Sequence, residues 1–199
     1  MVQCRVRVAA VVLAAGRGRR AGGPKAVLRI GGDTFLAHVV SRLSRPGVDR
    51  VVVVLGHDAP RIVAEAALAS SVIVVVNEGW EDGMLGSVLT GLDAAERDGA
   101  DAVLVHPVDH PLIEAATVDR VVGALQAGAR VAVPTHGGRR GHPGGFSRAA
   151  WPALRAAPPA QGARSVLSSH AEWIVHVLGD PGCVAGIDTP EDYRRLIGG

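Results

Sequence analysis

The chain has few aromatic residues: phenylalanine, tyrosine and tryptophan together make up 3% of its 199 residues. Ring-built stacking platforms for single-stranded nucleic acid are therefore not expected. Cysteine is scarcer still. Cys4 and Cys183 are too few for a disulfide framework and suit a reducing, cytoplasmic location. No apolar run is long enough to cross a bilayer, and no basic start followed by an apolar stretch marks a signal peptide. A surplus of one charge is also missing. The net charge is +2, so no global basic field points to nucleic acid. What the chain does have is apolar residues, at 48% of the total, enough to bury a core. One domain spanning residues 1–199 is expected.

Those apolar residues fall into β-branched runs at Val6–Leu13, Val51–Leu55, Val72–Val76, Ala102–Val105 and Arg130–Pro134. The runs lack polar alternation, which predicts strands buried on both faces in a mostly parallel sheet. Between them the spacing predicts helices over Thr34–Leu43, Ala59–Ala69, Ser87–Arg97 and Glu114–Ala127. The result is an α/β layered domain. Later elements are helices at Ser147–Leu154 and Ala163–Ser169, strands at Trp173–Val177 and Val184–Ile187, and a helix from near Pro190. The glycine-rich segment Pro134–Gly145 is expected to hold little regular structure. Ligands in such sheets bind beyond the carboxyl ends of the strands. The segments Ala14–Lys25, His106–Pro111 and Gly186–Asp188 lie at expected strand ends.

The first of these segments gathers Arg17, Arg19, Arg20 and Lys25 among Gly16, Gly18, Gly22 and Gly23. Like charges this close repel, so an anion is expected among them. Gly16-Arg-Gly18-Arg-Arg-Ala21 formally matches a dinucleotide fingerprint, but that pattern needs a helix to open inside the turn. Gly22, Gly23 and Pro24 prevent it. The loop also lacks the Gly-Lys-Ser/Thr of a P-loop. What remains is a run of backbone N–H groups with cationic ends, suited to a triphosphate.

Asp109 stands between Pro107 and Pro111, either as a Mg²⁺ ligand or as a turn carboxylate capping local N–H groups. Asp188 is either a second ligand or part of a helix start, with Thr189 as the N-cap and Pro190 at the first helical position. His106 and His110 flank Asp109. A zinc site there would need a third histidine or cysteine, and the sequence offers no obvious one. Trp80 and Trp151 read as core or interface residues.

The stretch Leu13-Ala-Ala-Gly16-x-Gly18-x-Arg20, with Gly22-x-x-Lys25, resembles the signature loop of the nucleotidyltransferases. It is most similar to the MobA-like molybdenum-cofactor branch, and within it to the molybdopterin cytidylyltransferases. Asn77-Glu-Gly-Trp80…Gly83…Ser87…Gly91, Val108-Asp109-His110-Pro111, Arg140-Gly-His142-Pro143…Phe146 and Gly186-Ile-Asp188-Thr-Pro-Glu-Asp-Tyr193 resemble further segments of that branch, in its order. Ala21 stands where the family has methionine, and Val108 where it has glycine.

The resemblance implies a three-layer, Rossmann-like nucleotidyltransferase fold. It implies transfer of CMP from CTP to a phosphorylated small molecule such as molybdopterin. Arg20 and Lys25 would be catalytic. Leu13, Ala14, Ala15, Gly16, Gly18, Lys25, Asn77, Gly83 and Ser87 would bind nucleotide. Asp109 and Asp188 would bind Mg²⁺, and Arg140 and His142 would face the acceptor. Lys25, on a glycine loop, is expected to be exposed. Two other readings of the residues are a nucleotide sensor or accessory protein without turnover and a nucleotide-dependent oxidoreductase.

Overall fold

The computed structural model of the chain describes residues 5–18 and 23–197. Arg19, Arg20, Ala21 and Gly22 lie outside the described residues, as does Cys4. The element order is β1 (Val8–Ala14), a single 3₁₀ turn (Lys25–Val27), β2 (Arg29–Ile30), β3 (Asp33–Thr34), α1 (Phe35–Leu43), β4 (Arg50–Leu55), α2 (Ala59–Ala66), β5 (Ile73–Val76), α3 (Met84–Arg97), β6 (Ala102–Pro107) and α4 (Ala115–Gln126). There follow β7 (Val131–His136), β8 (Arg139–Arg140), β9 (Gly144–Ser147), α5 (Trp151–Arg155), α6 (Ala163–Ser169), β10 (Ile174–Leu178) and α7 (Pro190–Ile197).

Seven strands line up as β10-β7-β9-β6-β1-β4-β5, with β8 paired to β7 off that path. The pairs β1–β4, β1–β6, β4–β5 and β7–β10 are parallel, and β9 runs antiparallel to both of its neighbours. β1 shows why the sequence yields this sheet. All seven of its residues are buried, and they alternate between two cores. Val8, Ala10, Val12 and Ala14 face the cluster built with α1, α2 and α4, which Tyr193 and Leu196 of α7 join at its margin. Ala9, Val11 and Leu13 face α3, α5 and α6. A strand sandwiched in this way has no solvent face, so every residue is apolar. Three layers result: helices, sheet, helices.

On one face α3 packs closely on the side chains of β1 and β4. A Cβ on Gly91 would come within 2.2 Å of Val11 Cγ1 and 2.9 Å of Val54 Cγ2. α1 begins where Thr34 Oγ1 accepts the Ala37 N–H at 3.1 Å, an N-cap of the expected kind.

The fold departs from the sequence expectations in several places. Val184–Ile187 is not a strand: Pro181–Val184 forms a 3₁₀ turn and the chain then runs irregularly to Asp188. The glycine-rich segment Pro134–Gly145 is mostly regular. It carries the end of β7, the β7–β8 hairpin and the start of β9, which lies between β7 and β6. Glycine suits β9 because α4 presses on it. A Cβ on Gly145 would meet Val121 Cγ1 at 2.8 Å and Leu125 Cδ1 at 3.0 Å. The helix expected over Ser147–Leu154 becomes a 3₁₀ turn at Arg148–Ala150 followed by α5. No helix among the described residues is long and apolar enough to cross a membrane.

Gly91→Ala is expected to destabilise the fold by about 1–3 kcal/mol, because the added methyl overpacks the α3–β1 contact. Urea denaturation measures this. Wild-type stability in the variant would show that α3 can shift away from Val11 at no cost.

Candidate active site

β1 has β4 and β5 on one side and β6 on the other, so the chain crosses over in opposite directions from it. Loops leaving the carboxyl ends of β1, β4 and β6 diverge there and leave a crevice. Backbone bonds tie the three ends together: Val108 N–H donates to Leu13 O at 3.0 Å, and His57 N–H donates to Ala15 O at 3.0 Å. Leu13, Ala14 and Ala15 are buried, and the chain surfaces at Gly16.

The loop that follows closes on itself. Gly23 N–H donates to Gly18 O at 3.2 Å. Gly18 has φ +64°, and a Cβ there would lie 1.8 Å from Gly23 O, so only glycine fits. Past Pro24 comes the single 3₁₀ turn Lys25–Val27, and among the described residues no α-helix opens from the glycines. A dinucleotide fingerprint lacks its helix here.

Two cations of this loop, Arg17 and Lys25, meet acids of the chain itself. Arg17 Nη2 donates to Glu81 Oε1 at 3.0 Å, and its guanidinium carbon lies 5.0 Å from the centre of the Trp80 ring. Trp80 also leans on His57, with ring centres 5.2 Å apart. Gly16, Arg17, Gly18, Trp80 and Glu81 line an open cavity of ≈ 530 Å³. Trp80 is therefore a wall of the crevice and not a core residue, whereas Trp151 is buried in the core as expected.

Lys25 is the centre of the arrangement. Its Nζ donates to Asp109 Oδ2 at 2.8 Å and to Asp188 Oδ1 at 2.6 Å. Its side chain is 13% exposed, against 26% for Asp109 and 47% for Asp188, so the expectation of an exposed lysine fails. Burial opposes the ammonium charge, but the hydrogen bonds and attraction of Asp109 and Asp188 outweigh it. The Lys25 pKa is held above the ordinary lysine value.

Three elements place these groups. Lys25 opens the 3₁₀ turn, with Ala26 buried behind it. Asp109 follows β6. Asp188 is held without a strand: Ile187 N–H donates to Asp109 O at 2.8 Å, and Asp192 Oδ2 accepts from the Asp188 and Thr189 N–H groups at 3.2 and 2.9 Å. Thr189 Oγ1 in turn accepts the Asp192 N–H at 3.1 Å, which is the expected N-cap. Threonine and an acid three residues on form a reciprocal capping box, and Thr-Pro-Glu-Asp spells it in the sequence. The Asp188 carboxylate meets Lys25.

Asn77 and Ser87 come together as well. Asn77 Nδ2 donates to Ser87 Oγ at 3.0 Å and Asn77 Oδ1 accepts the Gly79 N–H at 3.1 Å, bracing the turn from β5 into α3. Gly83, at φ +115°, starts α3 beside it. The two acceptor-side residues part company. Arg140 is exposed and donates to Leu167 O at 3.4 Å, toward α6, while the His142 ring lies 4.8 Å from that of His110. The segment that carries them is hairpin and sheet.

His106, His110 and His142 thus cluster, a grouping the sequence hid because His142 is distant along the chain. His106 is fully buried, and its Nε2 pairs with the carbonyl of His110 at 3.0 Å. A carbonyl only accepts, so Nε2 carries the hydrogen and Nδ1 is bare. Burial and the neighbouring imidazoles push the His106 pKa down to about 3. Burial and His110 push that of His142 to about 4. Burial also lowers that of His110. The rings are neutral at pH 7. Among the described residues no three His, Cys, Asp or Glu side chains are arranged to hold a metal ion, which removes the zinc reading. Two carboxylates converging on one cationic point instead fit a hard ion that takes one or two protein ligands.

The family model described as MobA-like NTP transferase domain matches residues 10–173. The nicotine blue oxidoreductase of Paenarthrobacter nicotinovorans is 32% identical over 200 residues, covering 96% of each chain. The 2-C-methyl-D-erythritol 4-phosphate cytidylyltransferase of Rhodococcus opacus is 38% identical over 137 residues, 67% of this chain and 58% of that one. Among solved structures, Rv0371c of Mycobacterium tuberculosis superposes with a TM-score of 0.85 at 29% identity, covering 98% of this chain and 100% of that one. Its manganese complex gives a TM-score of 0.74 at 26% identity, covering 97% and 99%.

The buried histidines set an acid limit on stability. Native His106 titrates at about 3, whereas an exposed histidine does so at 6.5. Between those values the unfolded chain binds a proton that the native one refuses, so stability falls as the pH drops through this window. His106→Gln keeps an N–H donor for His110 O and removes the titration. Urea midpoints at pH 6.5 and near pH 4 are expected to differ less in the variant than in wild type. An equal loss in both would show that His106 does not set the acid limit.

Proposed function

The chain belongs to the MobA-like NTP transferase family, and from that premise we propose that it transfers CMP from CTP to a phosphorylated small molecule, releasing pyrophosphate. The observation that carries this is the meeting of Lys25, Asp109 and Asp188 at the crevice beyond β1 and β6. An acceptor phosphate oxygen attacks the α-phosphorus. The new O–P bond forms as the bond to pyrophosphate breaks. The nucleophile is already anionic, so no general base is needed.

The protein aligns the groups and offsets their charge. Leu13, Ala14, Ala15, Gly16 and Gly18 would present backbone to the nucleotide. Asn77, Gly83 and Ser87 would form its far wall, and Lys25 would meet the phosphates. Arg20 is assigned beside Lys25 on the resemblance alone. Asp109 and Asp188 would hold Mg²⁺, which when bound neutralises charge on the phosphate oxygens; the manganese complex of a relative supports a divalent ion. His142 lies on the acceptor side. Arg140 is assigned there too, although it points toward α6. A molybdopterin-type phosphate monoester is the first acceptor to test. The whole chain would act as one domain in the cytoplasm, where a free thiol such as Cys183 is stable.

A second reading is favoured by one finding: the relative matching over 96% of its length is named an oxidoreductase. The 3₁₀ turn that follows Pro24, where a dinucleotide fingerprint would continue as an α-helix, counts against a dinucleotide bound in the usual way. A third, binding without turnover, is opposed by the intact Lys25–Asp109–Asp188 set.

Purified protein with each NTP, Mg²⁺ and phosphate-monoester acceptors, including molybdopterin and 2-C-methyl-D-erythritol 4-phosphate, is expected to release pyrophosphate with CTP. Lys25→Ala is expected to lower that turnover about a hundredfold or more, as for loss of one oriented charge donor. Oxidation of reduced nicotinamide dinucleotide without pyrophosphate release would establish the second reading instead. Nucleotide binding by calorimetry with neither reaction would establish the third.

A further inference from the structure

The Lys25 ammonium stands between Asp109 and Asp188 and contacts one oxygen of each. It is 2.8 Å from one carboxylate and 2.6 Å from the other, and little of its side chain meets solvent. The acids do not depend on Lys25 for their places. The Ile187–Asp109 backbone bond and the Asp192 capping box hold Asp188, and the turn after β6 holds Asp109. Two carboxylates kept together repel, and Lys25 offsets that repulsion. A divalent ion arriving alone has to displace an ammonium whose side-chain partners among the described residues are these two carboxylates. His110, the imidazole beside both acids, has no carboxylate to offer the ammonium. A nucleoside triphosphate changes the balance, because its phosphates give Lys25 a new charge-assisted partner.

We propose that Lys25 excludes free divalent ions from the Asp109–Asp188 pair, so that this site takes its metal only together with a nucleoside triphosphate. This rests on the metal-binding reading given above. The ion and the nucleotide then bind with strong positive coupling, each raising the other's affinity by the same factor. The lysine backbone stays put, held by Pro24 before it and buried Ala26 after it, so the switch is a side-chain movement. Free ions would not occupy the protein unproductively, and the working substrate class is the metal–NTP complex.

Binding of Mn²⁺ followed by the paramagnetic signal of the free ion tests this without any turnover. Wild type alone is expected to bind Mn²⁺ weakly, and to bind it well with a non-hydrolysable CTP analogue. Lys25→Met without nucleotide is expected to bind Mn²⁺ at least about tenfold more tightly than wild type, since one opposing unit charge is gone. Lys25→Gln, an independent neutral variant, should behave alike. Lys25→Arg, which keeps the charge, should stay weak, and adding Asp109→Asn to Lys25→Met should abolish the gain. Circular dichroism melts establish that each variant is folded.

Unchanged or weaker Mn²⁺ binding in folded Lys25→Met and Lys25→Gln would overturn the inference. If wild type with the analogue nevertheless binds Mn²⁺, only the exclusion by Lys25 has failed. If wild type with the analogue retains no more Mn²⁺ than the analogue alone, the metal reading fails and the inference with it.

Discussion

The pairing of β1 with β4 on one edge and β6 on the other is the constraint from which the rest follows. A strand buried on both faces and both edges has room for apolar side chains only, and β1 has nothing else. Chemistry is therefore pushed beyond its carboxyl end, where the neighbouring loops must turn away in opposite directions. Carbonyls of Leu13 and Ala15 bind the loops after β6 and β4, so the crevice is framed by the sheet itself. α3 can follow β1 this closely only because position 91 is glycine.

The cationic loop after β1 is partly neutralised from within. Arg17 meets Glu81 and Lys25 meets two aspartates, so the positive charge is stored as ion pairs. These pairs hold the loop to three distant parts of the chain. They also keep carboxylates close to cations, which a purely basic pocket could not do. The buried histidines behind Asp109 add polarity without adding charge at neutral pH.

The relatives include a protein named an oxidoreductase and one named a cytidylyltransferase. One fold with one set of strand ends thus accompanies two chemistries, which places the function in the loops and not in the sheet. For this chain the loops speak for transfer: the glycines lead into a single 3₁₀ turn, and the acids converge on Lys25.

Much of the architecture was written in local pattern. Runs such as Val51–Leu55 and Ala102–Val105 announce strands covered on both faces, because each residue's burial is set by its own side chain. Lys25, Asp109 and Asp188 could be named as candidates from motifs, and Thr189 as a cap from Thr-Pro-Glu-Asp. Tertiary structure alone decided the rest. β9 is invisible in Gly-Gly-Phe-Ser, since its glycines answer to α4 pressing on it from far along the chain. The expected strand Val184–Ile187 gave way because that segment docks on Asp109 through a backbone bond, where no neighbouring strand is offered. Lys25 looked like a free loop cation, and only folding brings up the two acids that bury it. A charge read in sequence has no partner. The partner is chosen by the fold, through contacts that spacing along the chain does not encode.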